Sequence, residues 1–333
     1  MSDQPMLTVT DLRCLFPTQR TLNDRMNGRH PAIHAVDGVS FTLDRAEVLA
    51  VVGESGCGKS TTGRMLVRLI EPTGGSIDFD GEDVTRLSGD ALKQFRRKAQ
   101  IIAQNPFEAF DPRQTVQASL EQPLRIFGIG QPSERVGLIE AALEKAGLTP
   151  AADFLPRLPH ELSGGQLQRI ATVRVTLLEP RFIVADEPVS MLDVSVRADI
   201  LNHFLDLRDE TGLAILFITH DIAVARYVAS RIAVMYLGMF VETGTTEDVI
   251  DQPKHPYTRA LLSNTLSVEG DRAGGDPIEI RGDPPTPLDI QPGCRFAGRC
   301  PFVFDRCRIE TPLLKPVGGT QMVACHLYDG DVS

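Results

Sequence analysis

The sequence predicts an α/β protein built on a parallel sheet that is buried on both faces. Three continuous apolar runs support this prediction, at residues 48–52, 182–185 and 214–218. Such runs suit strands with helices on both sides. Each run ends at a glycine or a polar residue, and open α/β sheets bind ligands beyond the carboxyl ends of their strands. We therefore expect the functional residues to follow these three strands.

The middle and the end of the chain depart from this pattern. Between about residues 105 and 180 the apolar spacing becomes helical, and after about residue 265 proline and glycine become frequent. We predict a main domain at 1–264, an inserted helical subdomain at about 105–180, and a small irregular C-terminal extension at 265–333. One helix of the subdomain is expected to be capped by Ser133, to bury Val136, Ile139, Leu143 and Ala146, and to end at Gly147.

Composition limits the classes of function. The chain has 333 residues and a formal net charge of -10, which argues against a protein that binds nucleic-acid phosphates. The N-terminus lacks a basic segment followed by an apolar run, and the apolar stretch at 232–241 is about half of what spans a bilayer. These features predict a soluble, cytoplasmic chain that reaches a membrane only through protein partners.

A phosphate-binding motif follows the first apolar run. Glycines let successive backbone N–H groups curl around phosphates, and the N-terminus of the next helix adds positive potential. Lys59 is expected to reach the β and γ phosphates of ATP, and Ser60 to ligate Mg²⁺. The motif and the start of its helix comprise Gly53, Glu54, Ser55, Gly56, Cys57, Gly58, Lys59, Ser60 and Thr61, among which Cys57 is interpreted as a spacer.

Two acidic residues end the second apolar run. Asp186 is expected to hold Mg²⁺ through water, as the corresponding aspartate does in phosphate-loop enzymes. Glu187 is placed to orient and deprotonate an attacking water, a role typically worth about 10²- to 10⁴-fold in rate. Together with the phosphate loop, this pair predicts ATP hydrolysis.

A second glycine-rich motif, Leu162-Ser163-Gly164-Gly165-Gln166, resembles the LSGGQ signature of ATP-binding-cassette (ABC) ATPases. A serine and two glycines at a helix start form another anion-binding concavity, which a chain with its own phosphate loop does not need twice. The resemblance implies a head-to-tail dimer in which Ser163, Gly164, Gly165 and Gln166 contact ATP that the facing subunit holds.

The same resemblance assigns roles to further residues. Gln104 matches the Q-loop glutamine, which touches Mg²⁺ and the attacking water and senses the permease. Asp193, in Ser190-Met191-Leu192-Asp193, matches the D-loop, although Met191 replaces the usual alanine. His220 matches the switch histidine that contacts the γ phosphate, and Phe16 stands where the family keeps a ring that stacks on adenine.

Several segments resemble the ATPases of dipeptide and oligopeptide importers, and among their paired subunits the F-like one. These segments are 35–41, 159–161, 255–258 and the cysteine-bearing tail. The resemblance implies a motor at the cytoplasmic face of the inner membrane, working with a second ATPase subunit in a heterodimer, two permeases and an extracytoplasmic solute-binding protein. Nickel, oligosaccharide or another solute remains an alternative cargo. A soluble ABC protein acting on nucleic acid is disfavoured by the net charge and by the short spacing between Lys59 and Ser163.

Four of the six cysteines lie near the C-terminus, which in a cytosolic chain indicates metal binding rather than disulfides. Some relatives bind a four-iron four-sulfur cluster through similar cysteines, and four thiolates suit such a cluster. Structural zinc is an alternative, although the closely spaced cysteine pairs that it usually uses are missing. Buried reduced thiols are the third possibility for Cys294, Cys300, Cys307 and Cys325.

Overall fold

The computed structural model describes residues 4–19, 31–266 and 292–330, together with 280, 282, 285–288 and 290. Its strands alternate with helices through most of the chain. In chain order they are β1 (Leu7–Pro17), β2 (Ala32–Leu43), β3 (Val48–Val52), β4 (Gly74–Phe79), β5 (Glu82–Asp83), β6 (Ala99–Ile102), β7 (Phe182–Asp186), β8 (Ala214–Thr219), β9 (Arg231–Tyr236), β10 (Met239–Thr245), β11 (Lys315–Gly318) and β12 (Gln321–Val323).

The helices of the described residues are mostly short. They are α1 (Lys59–Leu66), α2 (Gly89–Lys98), α3 (Val116–Phe127), α4 (Arg135–Lys145), α5 (Gly164–Thr176), α6 (Val194–Thr211), α7 (Ile222–Val228), α8 (Thr246–Asp251), α9 (Pro256–Leu266) and α10 (Asp305–Ile309). None of these helices is both long and apolar enough to cross a membrane.

One sheet carries the predicted parallel strands. Its order is β11-β12-β10-β9-β3-β8-β7-β6. The strands from β9 to β6 are parallel, while β10, β12 and β11 are antiparallel additions at one side. The three predicted strands are confirmed as β3, β7 and β8, and they are neighbours in the sheet. Their carboxyl ends therefore meet at one edge.

The core fills both faces of this sheet, which explains why its strands are apolar throughout. Val48, Ala50 and Val52 belong to a buried cluster that includes residues of α6 and α7. Leu49 and Val51, which point to the other face, belong to a second cluster with residues of α1, β1 and β2. Each strand residue is thus buried on one side or the other.

A second, antiparallel sheet has the order β2-β1-β4-β5. The pairing of β1 with β2 runs from Leu7 opposite Leu43 to Pro17 opposite Ala32, with bulges between. Residues of β1 and β2 share the buried cluster with α1. This sheet therefore lies on the face that carries α1, and β2 passes close to the phosphate loop.

A third buried cluster joins α3, α4 and α5. Ile139 and Leu143 are fully buried in it, as the helical spacing predicts. The prediction that Ser133 caps this helix is wrong, because α4 begins at Arg135 and Ser133 lies in the preceding turn. Gly147 follows the helix with a φ of +78°. The subdomain limits of about 105 and 180 stay a prediction.

The C-terminal residues pack on the main sheet. β12 pairs with β10, with Glu242 opposite Val323, and β11 pairs with β12. Phe296 is 1% exposed and meets the edge of the Tyr236 ring at 5.3 Å between centroids. The tail is therefore partly regular and in contact with the cassette. Its predicted start at residue 265 stays a prediction.

Candidate active site

The predicted phosphate loop joins β3 to α1 through a turn that only glycine allows. Gly56 and Gly58 have φ of +77° and +109°. A Cβ on Gly58 would collide with the backbone oxygen of Ala35, and one on Gly53 with that of Met235. The loop is thus pressed against its surroundings, and it leads directly into the N-terminus of α1, which begins at Lys59 after Gly58.

Lys59 is held by the loop it belongs to. Its Nζ donates to the carbonyl oxygens of Gly53 at 2.7 Å and Glu54 at 2.9 Å. The residue is 5% exposed. Because a buried ammonium needs acceptors, these two carbonyls determine where the positive charge of the loop lies.

Ser60 and Asp186 come together although they are far apart in sequence. The Ser60 hydroxyl donates to Asp186 Oδ1 at 2.9 Å. Burial raises the pKa of the Asp186 carboxyl, with the hydrogen bond from Ser60 opposing the shift. A hydroxyl and a carboxylate are oxygen ligands of the kind that Mg²⁺ takes. These two residues therefore fit a magnesium site.

Glu187 is positioned by the two residues that the sequence associates with it. Gln104 Nε2 donates to Glu187 Oε2 at 2.9 Å, and His220 Nδ1 lies 3.2 Å from Oε1. Glu187 itself has a φ of +48°, which is uncommon for a residue with a side chain and is often found at functional sites. The three predicted catalytic residues thus form one connected group.

This group borders a cavity of about 500 Å³ at the carboxyl ends of β3, β7 and β8. Ile33, which lines the cavity, pairs with Phe16 in the adjacent strand. Phe16 itself is 40% exposed and is not among the lining residues of the described chain, so adenine stacking stays a prediction. The lining residues are Ile33, Ala35, Ser55, Gly56, Gly58, Lys59, Ser60, Thr61, Gln104, Glu187, His220 and Pro287.

The signature motif lies away from this cavity. Ser163 caps α5, because its hydroxyl accepts from Gln166 N at 3.3 Å while Ser163 N donates to Gln166 Oε1 at 3.0 Å. Gly165 has no room for a side chain, since a Cβ would lie 2.7 Å from Val196. No residue of the motif lines the cavity among the described residues.

The predicted D-loop residue lies near the signature. Asp193 precedes α6 and is exposed, and its side chain does not cap the helix. Leu192 comes within 3.6 Å of a Cβ built on Gly164. Asp193 is therefore available on the same surface as the signature rather than at the cavity of its own chain.

Sequence reasoning missed two residues that hold the phosphate loop. Tyr257 accepts a hydrogen bond from Glu54 N at 2.9 Å, and Arg299 Nη1 donates to Glu54 Oε2 at 2.9 Å. In the sequence, segment 255–258, which contains Tyr257, indicates only a family resemblance. Both residues are more than 200 positions away from Glu54 in sequence, so no local spacing could reveal these contacts.

The four C-terminal cysteines line one small cavity together with His255 and His326. Its volume is about 10 Å³, near the smallest that admits one water. Burial raises the pKa of the Cys294 thiol to about 11 and of the Cys325 thiol to about 12. Within the described residues, no group of three or more His, Cys, Asp or Glu side chains is placed to hold a metal ion. The described residues therefore do not form a metal site as they stand, and the iron-sulfur cluster, like the zinc alternative, stays a prediction.

The phosphate loop before α1, the acidic pair Asp186 and Glu187 at the end of β7, and the signature motif at the start of α5 are together those of an ATP-hydrolysing cassette. Residues 36–190 match the model of the ABC transporter family, and residues 241–307 match that of the oligopeptide/dipeptide transporter C-terminal region. The chain belongs to the ABC transporter ATPases and carries this C-terminal region. The predicted family and fold class are thereby confirmed.

Curated relatives and solved structures agree with this assignment. The dipeptide transport ATP-binding protein DppF of Escherichia coli K12 is 43% identical over 98% of this chain and 96% of its own length. The oligopeptide transport ATP-binding protein AppF of Bacillus subtilis 168 is 41% identical over 98% of each chain. The cassette MJ0796, solved as a dimer bound to ADP and Pi, is 28% identical with a TM-score of 0.63 and covers 72% of this chain and 99% of its own.

Proposed function

We propose that Glu187 is the general base of ATP hydrolysis in this ABC ATPase. The observation that carries the proposal is the placement of its carboxylate between Gln104 and His220 at the border of the cavity. Glu187 takes a proton from water as the water oxygen bonds to the γ phosphorus, and the bond from that phosphorus to the ADP oxygen breaks. Gln104 orients the water, and His220 contacts the γ phosphate.

The phosphates of ATP lie along the turn from Gly53 to Thr61 in this proposal. Lys59 binds the β and γ phosphates, and the backbone N–H groups of the loop bind the rest. Ser60, Asp186 and Gln104 hold Mg²⁺, which neutralises charge on the phosphates when it is bound. Phe16 stacks on adenine at the side of the cavity formed by β1 and β2.

The signature residues act on ATP held by a second ATPase subunit. Ser163 and α5 form an anion-binding helix start that lies away from the cavity of this chain. A head-to-tail pair places this surface, with Asp193, against the nucleotide of the facing subunit. The solved dimer of the cassette MJ0796 supports pairing, and we propose a heterodimer with a related ATPase.

The proposed process is import of dipeptides or oligopeptides. The C-terminal region and the names of the relatives DppF and AppF support this cargo. The motor works at the cytoplasmic face of the inner membrane with two permeases and an extracytoplasmic solute-binding protein. The cargo is chosen by these partners, so nickel or an oligosaccharide is the alternative.

The variant Glu187→Gln tests the catalytic assignment. Glutamine keeps the size and the hydrogen bond with Gln104 but cannot accept the proton, so hydrolysis by the assembled transporter should fall at least about tenfold while ATP binding remains. Phosphate release and binding of a fluorescent ATP analogue measure the two quantities. Unchanged steady-state hydrolysis would refute the role of Glu187.

Purification of the same variant tests the partners and the cargo. With ATP and Mg²⁺, the variant should retain its assembled state, and mass spectrometry of the purified membrane complex should find multi-span permeases and a second cassette. ATPase stimulation by the binding protein loaded with peptides, Ni²⁺ or oligosaccharides then compares the cargoes. Recovery of soluble protein or nucleic acid alone would contradict the transport role.

A second proposed role concerns the four C-terminal cysteines, which would hold a four-iron four-sulfur cluster. Two features support it: the four thiols line one cavity, and the buried His255 Nε2 beside it has no hydrogen-bond partner among the described residues. Burial lowers the pKa of the His255 imidazole to about 3, and its Nδ1 accepts from Tyr257 N. The neutral ring therefore carries its hydrogen on Nε2, which suits a sulfur acceptor. Because the cavity has a volume of only about 10 Å³, the cysteine region must open to admit the cluster.

Anaerobic purification tests this role. Iron and acid-labile sulfide at about four each per chain, with visible absorption that disappears in the Cys300→Ser variant, are expected. Stoichiometric zinc without iron would establish the alternative ion. Four titratable thiols without metal would leave reduced buried cysteines, and either result overturns the cluster.

A further inference from the structure

The phosphate loop contacts the C-terminal region through Glu54. Its carboxylate accepts from Arg299 Nη1 at 2.9 Å, and its backbone N–H donates to the Tyr257 hydroxyl at 2.9 Å. Its carbonyl accepts from Lys59 Nζ at 2.9 Å. Every polar group of Glu54 is therefore engaged, on one side by the C-terminal region and on the other by the lysine of the loop.

The Arg299 guanidinium is fixed in orientation. It also lies 3.4 Å from the Tyr236 hydroxyl and 5.9 Å from the centre of the Tyr236 ring. The side chains of Arg299 and Glu54 are 10% and 24% exposed, so water screens their ion pair only partly. Such a pair is stronger than one on the open surface.

The negative charge of Glu54 lies close to the proposed phosphate site, and Arg299 neutralises it by forming an ion pair. Glu54 directly precedes Ser55, which lines the cavity for the triphosphate. Without Arg299, the carboxylate of Glu54 would repel the phosphates. The side chain would also no longer be held in place, so the Glu54 carbonyl that accepts from Lys59 would be less firmly positioned. Pairing with Arg299 removes both effects.

We propose that Arg299 is a positioning residue for ATP binding: through Glu54 it sets the phosphate loop and Lys59, and it makes nucleotide affinity depend on the four-cysteine region. Arg299 directly precedes Cys300, whose side chain lines the cysteine cavity. Any change in that cavity that shifts residue 299 therefore reaches the loop. By reciprocity, bound ATP favours the arrangement of the cysteine region that keeps the pair formed.

The inference rests on the proposal that the phosphate loop binds ATP. The experiment therefore tests the nucleotide site separately, through the variant Lys59→Ala. Binding of a fluorescent ATP analogue with Mg²⁺ to the full-length chain is compared for wild type, Arg299→Ala, Arg299→Lys and Lys59→Ala. The matched control is Arg306→Ala, which removes a partly exposed arginine of the same tail that pairs with Glu310 and Asp329 and not with the loop.

We expect Arg299→Ala to weaken ATP binding about five- to tenfold, as for loss of one partner of a partly buried pair. In the assembled transporter, KM for ATP should rise by a similar factor with kcat nearly unchanged. Arg299→Lys should recover part of the affinity, because it keeps the charge without the planar fork. The loss should shrink at high salt.

A double-variant cycle with Glu54→Gln identifies the route. In the Glu54→Gln background the negative charge that Arg299 neutralises is absent. Adding Arg299→Ala to this variant should therefore change the affinity for the ATP analogue less than about twofold. An equal loss in both backgrounds, an unchanged affinity for Arg299→Ala and Arg299→Lys, or the same loss for Arg306→Ala would each overturn the inference. Unaltered binding by Lys59→Ala would instead show that the nucleotide site itself is assigned wrongly.

Discussion

The phosphate loop and the signature motif are both glycine-rich turns before a helix, yet the chain treats them differently. The first is pressed against backbone oxygens of Ala35 and Met235, and its Lys59 and Ser60 line the cavity. The second is more exposed, and Ser163 and Gln166 satisfy each other in a capping box. The first motif borders a cavity of its own chain, and the second lies away from that cavity as a helix start whose capping groups are paired with each other.

The difference shows how one chain can separate binding from catalysis. A loop whose shape is imposed by its neighbours can bind the nucleotide by itself. In the proposed head-to-tail pair, the helix start at Ser163 exchanges its internal hydrogen bonds for bonds to phosphate oxygens that the facing subunit brings close. Glycine therefore serves backbone geometry in the first motif and close approach in the second.

The largest expected effect is on the phosphate loop. Gly58→Ala introduces a Cβ against the Ala35 oxygen at a φ of +109°, so it should destabilise the chain by about 3 kcal/mol and abolish measurable ATP binding. Gly164→Ala is the matched control, because its Cβ meets Leu192 at an ordinary 3.6 Å. Equilibrium unfolding and nucleotide binding of both variants measure the contrast. Equal tolerance at the two positions would remove the steric distinction between the motifs.

An intermediate effect is expected at Ser163. Ser163→Ala should leave ATP binding by the single chain unaltered, since the residue is far from the cavity, but should lower hydrolysis by the assembled transporter about tenfold. Nucleotide binding and phosphate release on the same preparation test both halves. If hydrolysis were untouched in the assembled complex, the action of the signature on a facing subunit would be disproved.

The smallest effects concern stability without nucleotide, and they have opposite signs. Ser163→Ala removes a helix cap and should lower Tm by about 2 to 4 °C, for a loss of about 1 kcal/mol.

Asp186→Asn removes a buried charge while asparagine can still accept from Ser60, so Tm should rise by up to about 2 °C while Mg²⁺-dependent ATP binding is lost.

The increase in Tm caused by Asp186→Asn should become larger as pH rises. Burial raises the pKa of Asp186 above its ordinary value of 3.8. The folded chain therefore binds this proton more tightly than the unfolded chain, and the ionised carboxylate destabilises the fold increasingly as pH rises through that raised pKa. The difference in Tm between variant and wild type should be largest near pH 7.5 and shrink toward pH 4. A constant difference would contradict the role of charge burial.

Much of the fold and the nucleotide site follows from local patterns. The strands β3, β7 and β8 are recognisable because both of their faces are buried, and their carboxyl ends explain why Gly53, Asp186 and His220 meet. Errors arise where local pattern competes with context. Ser133 is a good capping residue, but the chain turns once more before α4 begins at Arg135. The stacking of Phe16 on adenine, by contrast, stays a prediction: the strand register places Phe16 opposite Ile33, which lines the cavity.

The class of this protein can be predicted from consecutive residues, because a phosphate loop and a capped helix start require particular residue types at fixed spacing. Which distant side chains support these motifs depends on the three-dimensional arrangement of the sheet and the tail. The attachment of Glu54 to Arg299 and Tyr257, the grouping of Gln104 and His220 around Glu187, and the single cavity of the four cysteines depend on how the sheet orders its strands and where the tail returns. Contacts between side chains that are distant in sequence depend on burial and charge throughout the molecule, so the spacing of neighbouring residues does not predict them.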